Sequence, residues 1–251
     1  MILEPTERIF YQTRAAQIAV QSLNRIVDEQ IIGMIVARPG FGKTHTINYW
    51  RHKRGPGFHH VWIEADVLTS CRPILNALAG ALGLGGQRYN LWDMKVAITE
   101  ALAKDPVTVI IDEADLLTVR TFELTRSIWD RVSELRGLDG ERGFPLALFG
   151  TPHLRTMLER DDLERLRRRT FHKAELPGLN LKETETVLGK WQVKVDEDGL
   201  QELHRLSQGS FGWLNVIVPI AQKLAAKDSR VVTGAIARAT TKYVVGLPEE
   251  N

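Results

Sequence analysis

The sequence predicts an α/β fold, a mostly parallel five-stranded sheet interleaved with helices and followed by a small all-helical domain. Three observations lead there. Through the first 176 residues short apolar runs alternate with helical patterns, the signature of successive strand–helix–strand units. One run, Val107-Thr-Val-Ile-Ile-Asp112, is β-branched and apolar on both faces, which suits a strand in the middle of a parallel sheet. After Leu176-Pro177-Gly178 strong strand runs stop, and apolar residues recur only at helical spacing.

The elements follow in order. Residues 1–30 predict a helical segment, because Ala15, Ala16, Ile18, Ala19, Leu23, Ile26 and Val27 form one apolar stripe. Ile31–Ala37 is a short apolar run bounded by Pro and Gly and reads as a buried strand. His59–Ala65 is the second strand, 107–112 the third, Pro145–Phe149 the fourth and Thr170–Leu176 a weaker fifth. Helices are expected at 72–84, 91–104 and 119–136, the last broken by the Gly-rich stretch 137–143. From about 180 onward Val187, Leu188 and Trp191, then Leu200, Leu203 and Leu206, keep helical period. The expected division is a core at 1–176 and a helical domain at 177–251.

Composition narrows the function classes. The chain has 251 residues, 43% hydrophobic and 25% charged, enough for a sizeable core. Thirty-three Lys and Arg against 31 Asp and Glu leave +2, which excludes a uniformly basic coat but not a basic patch. One cysteine, Cys71, excludes an internal disulfide and a Cys-rich zinc site. The seven histidines show no metal spacing, and no apolar run approaches the roughly 20 residues of a membrane span. A cytoplasmic protein without a membrane role is the expectation.

Four motifs carry chemistry. Ala37-Arg-Pro-Gly-Phe-Gly-Lys-Thr44 fits a phosphate-binding loop, with Ala in place of its first Gly. Phosphates need converging backbone N–H donors, which Gly40 and Gly42 permit. Pro39, Gly40, Phe41, Gly42, Lys43, Thr44 and His45 are the expected nucleotide-contacting stretch, with Lys43 reaching the β- and γ-phosphates and the Thr44 hydroxyl holding Mg²⁺. Asp112-Glu113 ends the most apolar strand, where ligands bind in open α/β sheets. Asp112 is the second expected Mg²⁺ residue, and Glu113 the base that deprotonates an attacking water. Asp112-Glu-Ala-Asp115 also spells a helicase tetrapeptide, but such helicases need two tandem ATPase domains, so the match reads as coincidence.

Phe149-Gly-Thr151-Pro152 ends the next strand, and Thr151 there would either sense the γ-phosphate or position the water, unless the stretch is an ordinary turn. Arg160, Arg165, Arg167, Arg168, Arg169 and Lys173 form a basic run. It reads as a solvated helix face, as a source of an arginine acting on a neighbouring subunit's nucleotide, or as phosphate contacts. Arg51-His-Lys-Arg54 is a smaller cluster for which the solvated face is the favoured reading.

Together these motifs resemble an AAA+ ATPase. More closely, the chain resembles the family of DNA-transposition ATPases that includes the phage Mu B protein, TnsC and TniB. The resemblance is carried by 38–44, Ile110–Asp115, Phe149–Pro152 with Leu154, Leu163–Thr170, and Trp191 through Gly209-Ser-Phe-Gly-Trp-Leu-Asn215. It implies a P-loop AAA+ core with a helical lid. It also implies ATP bound with Mg²⁺ at subunit interfaces, and a homo-oligomeric filament or ring on duplex DNA without sequence preference. A transposase, and in some systems a target-selection protein, would be the partners. By position Arg165 matches the family's trans-acting arginine, with Arg167 and Arg168 as reserves. Arg120, Thr121 and Arg88 match DNA-facing positions. The chain departs from many AAA+ proteins in having Phe211-Gly212-Trp213 where a lid arginine would sense the γ-phosphate, which implies slow, partner-stimulated hydrolysis. With the core expected to begin within about thirty residues of the first, no counterpart of the Mu B protein's N-terminal helix-turn-helix domain is expected. The alternatives are an AAA+ ATPase that remodels or signals to proteins without DNA, and a scaffold that binds ATP but barely hydrolyses it.

Overall fold

The computed structural model describes residues 10–85, 90–138, 140–226, 230–244 and 246–247. The order is α1 (Arg14–Glu29), β1 (Ile32–Val36), α2 (Lys43–Arg54), β2 (His60–Glu64), α3 (Cys71–Ala81), α4 (Leu91–Lys104), β3 (Thr108–Asp112), α5 (Val119–Leu135) and β4 (Leu146–Gly150). Then come α6 (Pro152–Leu158), α7 (Glu164–Arg169), β5 (Thr170–Glu175), α8 (Leu181–Lys190), α9 (Glu197–Ser207), α10 (Phe211–Ala225) and α11 (Gly234–Ala239). The chain divides into two compact units, one of 18–37 and 46–175, the other of 1–17, 38–45 and 176–251.

The first unit holds the sheet, in the order β2-β3-β4-β1-β5, with every pairing parallel. The three inner strands are buried at every residue, because helices cover both faces. The edge strands are less covered: β2 alternates buried with more exposed positions, and β5 after the buried Thr170 alternates exposed with half-buried ones, which is why 170–176 carries the weaker strand signal. The core runs from Ile32 and Met34 through Val109 and Ile111 to Leu146 and Leu148, and the helices add Ile98, Phe122 and Trp129. Trp129 is fully buried, and its Nε1 donates to the Phe144 carbonyl at 2.9 Å, so its one polar atom is satisfied.

Helices make up most of the second unit, whose strand content among described residues is an isolated bridge between Val195 and Val232. Asn180 and Glu183 form a capping box at α8, and Asp196 and Ser210 cap α9 and α10. Val187, Leu188, Leu203, Leu214 and Ile217 are its core. Among the described residues no helix is long and apolar enough to cross a membrane.

Candidate functional site

The phosphate-loop stretch 38–45 leaves β1 and belongs to the second unit. Gly40 and Gly42 have φ of +77° and +88°, a region where a side chain is strained. Gly40 also lies against the start of α10. A Cβ on it would meet Ser210 Oγ at 2.3 Å and the Gly212 nitrogen at 3.1 Å, whereas a Cβ on Gly42 would meet nothing within 4 Å. Gly212 N donates to the Gly40 carbonyl at 3.3 Å, and Ser210 Oγ to that of Pro39 at 3.5 Å. Phe41 packs on Gly178, whose added Cβ would stand 3.0 Å from the Phe41 ring. The departure at Phe211-Gly212-Trp213 therefore has a steric side. Gly212 permits the close approach of two backbones, and a Cβ there would stand 3.2 Å from the Gly40 Cα.

Lys43 is buried and Thr44 half-buried in the first turn of α2. His45 stacks on Phe10 with centroids 5.8 Å apart and planes 17° apart, a contact that ties the N-terminal segment to the loop. Next to it Tyr11 packs on Phe211 at 5.6 Å.

In the sheet unit, parallel neighbours bring the remaining acids and Thr151 to one end. Ala37 N donates to the Gly150 carbonyl at 3.0 Å, and Ala65 N to that of Asp112 at 2.9 Å, so the ends of β1, β4, β3 and β2 are tied side by side. Asp112 is fully buried and its Oδ1 accepts from Glu113 N at 3.0 Å. Glu113 is left-handed, φ 52° and ψ 40°. For a non-glycine residue that conformation costs about 1–2 kcal/mol. It turns the chain at once from a buried strand into the short 114–116 turn.

Asp115 is the functional candidate that sequence reasoning set aside with the tetrapeptide. Its Oδ1 accepts from Thr151 N at 3.1 Å and its Oδ2 from the Thr151 hydroxyl at 2.6 Å. A hydroxyl has one proton and two lone pairs, and an ionised carboxylate only accepts. Thr151's proton is thus committed to Asp115, and one lone pair takes the His153 N–H at 3.3 Å to cap α6. One lone pair remains. Of the two roles open in the sequence, holding a water by accepting its proton is compatible with this arrangement, and donating to a phosphate oxygen is not.

The other expected residues separate. Arg165 on α7 is exposed. Around it Arg160 pairs with Asp162 at 2.7 Å, Arg167 with Glu159 at 2.8 Å, Arg168 with Glu164 at 2.5 Å and Arg169 with Asp130 at 3.0 Å. Arg165 alone of these five arginines makes no ion pair or side-chain hydrogen bond among the described residues. Arg120 is exposed on the first turn of α5. Thr121 is a correction. It is fully buried, its hydroxyl 3.0 Å from that of the capping Thr118, so it has no surface for DNA. Arg88 lies outside the described residues.

The family model described as AAA domain matches residues 26–158, more than half of the chain. A search of curated proteins finds no match. Among solved structures the chain is similar to Cdc6p from Pyrobaculum aerophilum, with 14% identity over 98% of this chain and 71% of that one and a TM-score of 0.70. It is similar to the Aeropyrum pernix ORC1 protein in complex with DNA, with 13% identity, 93% and 66% coverage and a TM-score of 0.62. The Thermotoga maritima RuvB Holliday junction branch migration motor gives 16%, 93%, 69% and 0.58. At such identities the likeness is one of fold, and this chain spans about two thirds of those chains. The parallel sheet, the glycine loop leaving β1 and the acid pair ending β3 are therefore parts of one known plan, and the chain belongs to the AAA domain family of ATPases.

Proposed function

We propose that this ATPase binds duplex DNA as an ATP-dependent oligomer and acts there as a target selector and activator for a transposase. The observation that carries the oligomeric part is Arg165, exposed and, among the described residues, without an ion pair amid arginines that are each paired within the chain. A cation with no partner among the described residues of its own subunit suits a γ-phosphate held by the next one, as with arginine fingers. Such a contact joins unlike faces, so it closes a ring or propagates a filament. Arg120 supplies a cation for the DNA backbone, and one of the similar folds was solved in complex with DNA. The transposition role rests on the run of motifs from Arg38 to Asn215.

In the catalytic reading Lys43 and the backbone N–H groups of 40–45 bind the phosphates, with Pro39, which has no N–H, shaping the entry to the loop. Glu113 takes a proton from the attacking water, and Thr151 orients that water by accepting from it. Asp115 acts as a positioning residue. Thr44 and Asp112 offer one hydroxyl and one carboxylate, hard oxygen donors that fit Mg²⁺, an ion that takes few protein ligands. When bound, that ion supplies charge neutralisation on the phosphates.

The hydroxyl geometry has a direct consequence. Asp115→Asn keeps the shape but presents an amide that donates, which turns the Thr151 proton outward. Turnover is expected to fall about tenfold or more, in the range of a lost water-positioning contact, with the KM for ATP little changed. Thr151→Val is expected to fall as far, and the double variant no further, because the pair acts as a unit. Additive losses that follow the melting temperature would mark the pair as structural only.

Electron microscopy with duplex DNA and a non-hydrolysable ATP analogue tests the reading as a whole. Filaments or rings that require both are expected. Monomers that ignore DNA, or assembly and turnover indifferent to it, would favour remodelling of proteins instead.

A further inference from the structure

The last turn of α2 carries Arg51, His52, Lys53 and Arg54. Cations near a helix C-terminus ordinarily face its carbonyls or solvent. Here both arginines turn to other elements. The Arg51 guanidinium lies 4.7 Å from the Trp62 ring centroid on β2, and its Nε donates to His60 Nε2 at 2.6 Å. Arg54 lies 5.0 Å from Trp50 and 5.2 Å from Phe58, and donates to Asn24 on α1 at 2.7 Å. The Lys53 ammonium is 5.6 Å from the Tyr49 ring.

No acid among the described residues neutralises these charges. Among the described residues the four basic side chains make no ion pair, and the exposed acids Asp28 and Asp105 make none with them. His60 adds no counter-charge: its Nδ1 donates to the Phe58 carbonyl, 2.9 Å away, and its Nε2 accepts from Arg51. Burial holds the Arg51 pKa below its ordinary value, the mark of a charge drawn partly out of water without a counter-ion. A cavity of about 470 Å³ opens beside it, lined by Asn48, Arg51, His52 and His60 with the Gly55-Pro56 turn.

We propose that this face binds the phosphate backbone of nucleic acid at a surface separate from Arg120. A guanidinium seated on a ring uses its plane there and keeps N–H edges for an acceptor, the geometry that matches phosphate oxygens. Several such cations along a helix end suit a ligand of repeating charge. The face is set at the start of β2, whereas Arg120 follows the end of β3, and β2 and β3 run parallel. A five-residue strand puts about 17 Å between the two ends, so one phosphate cannot serve both. The proposal rests on the reading that the protein binds duplex DNA.

The test is fluorescence anisotropy of the full chain on a labelled duplex, with a non-hydrolysable ATP analogue, across a salt series. Arg51→Gln, Lys53→Gln and Arg54→Gln combined are expected to flatten the slope of log affinity against log salt by about 2–3, at about 0.9 per phosphate contact, and to weaken binding about tenfold or more. ATP binding should not change. Should the triple variant fail to fold, Lys53→Glu, at an exposed residue held only against a ring, is expected to flatten the slope by about 1. Unchanged slope and affinity in a folded variant overturns the proposal. If Arg120→Gln then still weakens binding, the DNA reading stands without it, and a wild-type chain that binds no duplex removes both. A polyglutamate peptide that displaces the duplex at matched charge would assign the face to an acidic protein and equally overturn the proposal.

Discussion

Replacing Glu113 by Gln is expected to lower ATP turnover by about 10²–10⁴-fold, the ordinary worth of a positioned general base. Affinity for ATP should stay within about twofold, because the amide keeps the shape and none of the phosphate-binding groups is touched. The physical basis lies in the backbone. Glu113 is held left-handed at the end of β3, next to the fully buried Asp112, and its N–H is spent on that carboxylate. Residues kept in such unfavourable conformations concentrate where position matters to chemistry. If hydrolysis drives disassembly, the variant should also accumulate on duplex DNA with ordinary ATP, which light scattering would follow. Normal turnover in the purified variant would remove Glu113 from the mechanism. A slow wild-type protein whose assembly is indifferent to the substitution would favour a nucleotide-gated scaffold.

Arg165→Ala carries the second large effect, a loss of about 10³–10⁵-fold in turnover if the guanidinium stabilises charge on a neighbour's transferring phosphoryl group. Little in its own subunit should depend on it, because it is exposed and makes no ion pair among the described residues. The melting temperature is therefore expected to hold, and ATP binding by the monomer with it. Mixing supplies the decisive measurement. Lys43→Ala protein binds no nucleotide but still presents Arg165, and Arg165→Ala protein binds nucleotide but presents no arginine. Each alone should be inactive, and together they should recover part of the wild-type turnover. No recovery on mixing, with both variants folded, would count against an arginine acting between subunits. Arg167→Ala and Arg168→Ala should cost far less, since those side chains are already engaged by Glu159 and Glu164.

Much of the fold could be read from the chain because its signals are local. Ile32–Val36, Thr108–Asp112 and Leu146–Gly150 are strands where a β-branched or apolar run must be covered on both faces; the first two lie inside the runs that declared them, and the third extends past its run to Gly150. Gly40 and Gly42 are likewise legible, because a phosphate-binding turn needs positive φ and only glycine takes it without strain. The candidate site was less legible. Thr121 looked available on a helix start, yet the turn of α5 onto the core buries it beside Thr118. A boundary drawn at Pro177 follows the change in pattern, while the compact helical unit also takes in 1–17 and 38–45. Those contacts, Phe10 on His45 and Gly40 on Gly212, join residues far apart in sequence.

By itself the sequence determined which chemistry the chain could hold. It supplied a glycine loop ending in Lys43 and Thr44, an acid pair after a buried strand, and a parallel sheet to set them at strand ends. Only the tertiary structure decided which atoms remained available. The Thr151 proton is taken by Asp115 across 36 residues, Arg165 is left unpaired among the described residues while its neighbours find carboxylates, and Arg51 and Arg54 settle on ring faces. The reason is physical. Propensity and periodicity act over a few residues, but a hydrogen-bonding group is used up by whatever partner the fold brings near, and that partner has no fixed offset along the chain.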